Sequence, residues 1–155
     1  MKTTYSYLIV ALMVTASIAC KKDKDEKNSK EDLISTWELA QIQAGMIAGK
    51  TYEPGNGNLL TINADTYAYY KDGQVIEKGN YTTAADNSVE ENVCLVNVKD
   101  RYKRSIVFTN VTPARTTNKT FYYIENDKLY LLSGCFALDG GVDAVYRRSN
   151  PIPVD

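Results

Sequence analysis

Thr120-Phe121-Tyr122-Tyr123-Ile124-Glu125-Asn126-Asp127-Lys128-Leu129-Tyr130-Leu131-Leu132-Ser133 decides the fold. Two runs of aromatic, β-branched and leucine residues flank the polar tetrad Glu125-Asn126-Asp127-Lys128. Asn and Asp tolerate the left-handed backbone that a tight turn between antiparallel strands requires. Each run is too short for a helix of ordinary length, and such residues pack well on a pleated surface. The stretch therefore reads as a β-hairpin. Phe121–Ile124 and Leu129–Leu132 are apolar on both faces, more than a lone sheet facing water requires.

The same rhythm extends outward along the chain. Further strand-like runs lie at Trp37–Gln43, Leu59–Asn63, Thr66–Lys71, Val75–Thr83, Val93–Lys99, Ser105–Asn110 and Val142–Arg148. Asn63-Ala64-Asp65 and Lys71-Asp72-Gly73-Gln74 supply two more hairpin turns. Gly79, inside a long run, predicts a bulge or sharp bend of the kind a curling sheet needs. A short helical turn is expected over Lys30–Ile34, and no long stretch has helical periodicity. Eight or nine hairpin-linked strands predict an all-β fold, a small antiparallel up-and-down barrel. No internal repeat is detectable.

Leu33-Ile34-Ser35-Thr36-Trp37-Glu38-Leu39 resembles the opening of bacterial lipocalin-like domains, with Ser35 where that family has Gly before x-Trp. Val145-Tyr146-Arg147-Arg148 resembles their last strand, which carries a basic residue over the Trp. The resemblance implies a barrel over roughly Leu33–Arg148. It also implies closure at one end by Trp37 with Arg147 or Arg148, a cation–π contact worth about 0.5–2 kcal/mol. Trp37 reads as a core residue, not as a ligand contact.

The N-terminus reads as an address. Leu8–Val14 is an unbroken apolar run after Lys2, the layout of a secretory signal, and far shorter than the roughly 20 residues of a membrane span. Ser17-Ile18-Ala19-Cys20 resembles a bacterial lipobox, with Ser17 where Leu is usual. The resemblance implies cleavage before Cys20, acylation of that cysteine (palmitate among the chains) and attachment to a membrane. Lys22-Asp23-Lys24-Asp25-Glu26 resembles the export signal of surface-displayed lipoproteins of one group of Gram-negative bacteria. With Lys21 and not Asp after the cysteine, it implies outer-membrane residence and exposure at the cell surface. The organisation expected is a signal peptide over 1–19, a lipidated cysteine and charged tether over 20–31, the barrel over 32–149 and a tail over 150–155. Lys21–Lys30 has no apolar residue and is expected to be a solvated, disordered spacer.

Composition narrows the function. From Glu31 onward 16 acidic residues face 12 basic ones, without a basic stripe, which argues against a nucleic-acid partner. With Cys20 assigned to lipid, Cys94 and Cys135 form an even pair in an oxidising compartment, and a disulfide between them is expected. Two buried thiols are the competing reading. The chain has no His, which removes the usual neutral-pH base, the Ser–His and Cys–His nucleophile systems and His metal sites. Glu90 and Glu91 are adjacent, in a stretch (Asp86–Asn92) that reads as a solvated loop, and adjacent acids on a strand would point to opposite faces. Asp139-Gly140-Gly141-Val142-Asp143 lacks the oxygen-ligand density of a calcium loop and reads as a turn into the last strand. No enzyme, metal or cofactor is expected.

Twelve tyrosines, two of them (Tyr5, Tyr7) ahead of Cys20, leave ten in the mature chain against three Phe. Tyr suits positions with one dry side and one wet end. The plainer reading is sheet packing. The sharper one is a wet cavity suited to polar or ring-shaped, glycan-like ligands, with Tyr67, Tyr69, Tyr122 and Tyr130 as candidate binding residues. The expectation is a lipid-anchored, non-enzymatic binding module that captures a small or oligomeric ligand at a barrel mouth. The alternative is a structural, protein-docking or enzyme-inhibiting lipoprotein, motivated by the two-faced apolar strands.

Overall fold

The computed structural model describes residues 30–150. The stretch read as a signal peptide, Cys20, all but the end of the expected tether and most of the expected tail lie outside the described residues. A one-turn helix α1 (Lys30–Leu33) precedes β1 (Ser35–Ala44), β2 (Lys50–Thr51), β3 (Leu59–Ile62), β4 (Thr66–Lys71) and β5 (Gln74–Ala85). Helix α2 (Val89–Val93) follows, then β6 (Arg104–Thr112), β7 (Thr120–Glu125), β8 (Lys128–Ser133), a 3-10 turn (Phe136–Leu138) and β9 (Val142–Ser149). All neighbouring strands are antiparallel, and β9 pairs back onto β1 from Thr36↔Ser149 to Ala44↔Val142. The result is a closed barrel of eight strands, with β2 as a ninth, two-residue addition on β1. Closure pairs the first long strand with the last, and β2 keeps a free outer edge of two residues.

The expected turns form as read. Asp72 and Gly73, and Asn126 and Asp127, all adopt positive φ between paired strands, the geometry whose twist matches a hairpin. Gly79 sits at a register break between β5 and β6. A β-carbon there would lie 2.6 Å from the Thr109 carbonyl oxygen and 3.0 Å from the Tyr67 ring. In β1 the register slips between Leu39 and Gln41. This bulge moves the inward positions from odd to even numbers, so Trp37 and Leu39 are followed into the core by Ile42.

One end of the barrel is closed. Leu33 and Trp37 are fully buried, and the indole Nε1 donates to the Leu33 carbonyl at 2.8 Å. The Arg148 guanidinium lies 4.4 Å from the indole centroid, and its Nε reaches Asp127 at 3.3 Å. Arg147, one position earlier, points the other way. It forms an ion pair with Glu38 (3.1 Å) and donates to the Tyr52 carbonyl (2.6 Å). Strand alternation explains the division: only one of two adjacent arginines can face the indole.

Two expectations need correction. Val93–Lys99 is not a strand, and Asp86–Asn92 is not a solvated loop. Residues 86–103 run as one covering segment over the outside of β7 and β8, with Val89 and Val93 of α2 buried against Phe121, Tyr123 and Leu132. The disulfide Cys94–Cys135 ties this segment to the β8–β9 connection. The two-faced apolarity of β7 and β8 is thus satisfied within the chain: one face fills the barrel, and the other lies under residues 86–103. It no longer motivates a docking surface for a protein partner.

Candidate functional site

Strand alternation on β4 sends Tyr67 and Tyr69 inward. Tyr67 is buried, with its ring 4.4 Å from that of Phe108 on β6 and edge-on to Tyr69 at 5.8 Å. It lies over the bare backbone of Gly79, which explains why that position carries no side chain. The Tyr67 hydroxyl donates to Glu77 Oε1 at 2.8 Å. Arg115, from the β6–β7 connection, grips the same carboxylate with two nitrogens, Nη2 on Oε1 (2.8 Å) and Nε on Oε2. Burial opposes ionisation of Glu77, yet the hydrogen bonds from Arg115 and Tyr67 outweigh it and hold its pKa below the ordinary value. Conversely, burial pushes Tyr69 up to about 12 and raises Tyr146 well above the ordinary phenol value, so both phenols keep their protons.

Tyr69, Tyr146 and Arg115 border a cavity of about 300 Å³, at the end of the barrel opposite the Trp37 closure. Rings of Tyr69, Phe108 and Tyr146 and the side chain of Leu131 line it, together with Arg115, Asn118, Thr120 and Ser133. The phenols of Tyr69 and Tyr146, from β4 and β9, both face this cavity. Arg115 is the sole charged residue in the lining, and Glu77 already neutralises it. The cavity therefore offers aromatic surface, hydroxyls and an amide without net charge. That chemistry suits a neutral, ring-bearing molecule with hydrogen-bonding groups, not an ion.

Of the four tyrosines expected to bind ligand, the structure brings two together. Tyr69 lines the cavity and Tyr67 supports it from behind. Tyr122 is fully buried toward the closed end, where its hydroxyl accepts from Arg104 Nε at 2.9 Å. Tyr130 faces outward and stacks on Tyr123, with centroids 4.3 Å apart and planes within 5°. The alternation Tyr122-Tyr123 on β7 decides this: Tyr123 and its cross-strand partner Tyr130 share the outer face.

Sequence reasoning missed Tyr146, Phe108 and Arg115. Tyr146 was legible, since Ala144 and Tyr146 alternate inward on the strand that closes the barrel. Arg115 carried no such signal, because it lies in the irregular Pro113–Lys119 connection. Asp139–Asp143 forms the expected turn into β9, with Asp139 at positive φ, and no group of three or more His, Cys, Asp or Glu capable of holding a metal occurs among the described residues. Comparison of the chain with protein-family models, with curated proteins and with solved structures finds no match to any of them.

Proposed function

We propose that this protein is a non-enzymatic binding module that receives a small, neutral, ring-bearing ligand in the open end of its barrel. The observation that carries this reading is the cavity of about 300 Å³ lined by Tyr69, Phe108 and Tyr146. Its size is at the lower end for small-molecule sites and equals the liquid volume of about ten waters. Its hydrogen-bonding groups and its internally paired arginine select for uncharged molecules such as a phenol or a sugar ring. In the same reading, the N-terminal pattern ending in Cys20 supports acylation and attachment to the bacterial outer membrane, with the barrel displayed at the cell surface.

Native mass spectrometry of protein purified from its own host is expected to show one retained small molecule. The purified protein is expected to bind 4-methylphenol, a minimal neutral probe, by calorimetry. Ser133→Trp, which fills the mouth from its rim, should abolish both while leaving the far-ultraviolet circular dichroism unchanged. A wild-type protein that holds no small molecule and ignores the phenol would overturn the cavity reading, as would a Ser133→Trp variant that binds like the wild type. For the anchor, intact mass should show acyl chains on a chain beginning at Cys20, lost in Cys20→Ser. A polypeptide retaining Met1 without lipid would refute that part.

A further inference from the structure

The apolar side chains at the rim of the mouth are arranged as if for more than a ring. Met46 and Ile47, beyond the end of β1, are 88% and 75% exposed, and Leu138, in the turn before β9, is 80% exposed. They belong to two connections that meet: the Gly45 amide donates to the Gly141 carbonyl at 2.7 Å. The approach is possible because Gly45 has no side chain, since a β-carbon there would fall 2.7 Å from the Asp139 carbonyl oxygen. Between these connections lies an open groove bounded by Ala44, Met46, Ile47 and Val142, with Asp139 the one charged residue in its lining. Val142 lines both this groove and the tyrosine-walled cavity. The two spaces adjoin at Val142, one walled by tyrosines, the other apolar and open.

We infer that the ligand is elongated and amphipathic: its polar ring sits in the cavity and an aliphatic arm lies in the groove against Ala44, Met46, Ile47 and Val142. This rests on the cavity reading above and extends it to the ligand's chemical class, a neutral ring bearing an alkyl substituent. A partner that used the groove alone would leave the shared Val142 wall without purpose. A purely polar ligand would leave the Met46 and Ile47 side chains of the groove in water. The arm removes them from it, at roughly 25 cal/mol for each Å² of apolar surface covered.

The test is a homologous series of 4-methyl-, 4-butyl- and 4-octylphenol, titrated into the purified wild-type protein and into the triple variant Met46→Ser, Ile47→Ser, Leu138→Ser. All three positions are exposed, and unchanged circular dichroism would verify the fold. In the wild type, affinity should rise by about two- to fourfold per added methylene until the groove is full. In the triple variant that slope should flatten, while 4-methylphenol binds as before. A wild-type affinity independent of chain length overturns the inference and leaves the cavity reading intact. So does a slope that survives the three serines, and so does a loss of 4-methylphenol binding in the variant, because the rim would then belong to the head site. Failure of the wild type to bind any member of the series overturns the cavity reading itself, and this inference with it.

Discussion

Glu77 is the residue on which the mouth is assembled. It accepts from a tyrosine of β4 behind it and from an arginine of the β6–β7 connection in front. Thr117 Oγ1 to the Phe108 carbonyl (3.2 Å) and the Lys119–Asp86 ion pair (3.0 Å) hold the later part of that connection. Its middle is held through Arg115. Hydrogen bonds to a charged group are worth about 1.5–3 kcal/mol when dry, and the half-exposed Arg115 discounts this toward about 1 kcal/mol. Glu77→Gln keeps the shape and removes the charge, so it should lower unfolding free energy by about 1 kcal/mol at pH 7. The pH dependence has a definite sign. Folding lowers the pKa of Glu77, so its contribution is full above the unfolded value of about 4.3 and disappears as pH falls through the folded value. Urea midpoints of wild type and Glu77→Gln should therefore differ at pH 7 and converge as pH falls below about 4. A gap that persists undiminished in acid would show that the carboxylate's charge is not what holds the connection.

At the scale of elements, the outer layer of residues 86–103 is the least expected part of the molecule. Leu95, Val96 and Val98 sit in a run with strand-like composition, and eight of the nine runs read in this way did become strands. The ninth pairs with no strand: β9 closes on β1, and residues 93–99 pack over the outside of β7 and β8. Positive φ at Cys94 and Asn97 breaks any extended path. The signal for the alternative was present: Val89 and Val93 are four apart, the spacing of one helical face, and both are buried. Barrel rhythm and hairpin turns were legible because they depend on local residue chemistry. Which tyrosines face the cavity was only half legible, since bulges such as that after Leu39 reset the alternation. The covering segment depends on the disulfide at a sequence separation of 41. A loop of that size stabilises by about 4 kcal/mol in the chain-entropy model. Cys94→Ser with Cys135→Ser should thus lower stability by about 2–4 kcal/mol. It should also speed amide exchange in 86–103 and at Phe121 and Leu132 more than in β1 or β9. Uniform exchange across all strands would mean that the segment is not a separately tethered layer.

At the scale of the whole molecule, the barrel has two unlike ends, and the chain enters at the closed one. Lys30 contacts Asp65 of the β3–β4 turn at 2.8 Å and lies over the Tyr81 ring, on the side sealed by Leu33, Trp37 and Arg148. The cavity, Met46, Ile47 and Leu138 belong to the opposite end. Nine residues separate Cys20 from Lys30, a reach of at most about 35 Å. If Cys20 carries lipid, the attachment draws the closed end toward the bilayer and presents the mouth to the surroundings. This polarity also bears on the apolar rim, which then faces away from the membrane that holds the anchor. It is testable with acylated protein reconstituted in vesicles that contain a headgroup-attached quencher. A fluorophore placed on Ala64→Cys, in the exposed β3–β4 turn, should be quenched more strongly than one on Leu138→Cys at the mouth. Equal quenching would mean that the tether imposes no orientation. Stronger quenching at position 138 would turn the barrel over, and the exposed apolar side chains around its opening would become a membrane contact in place of a ligand groove.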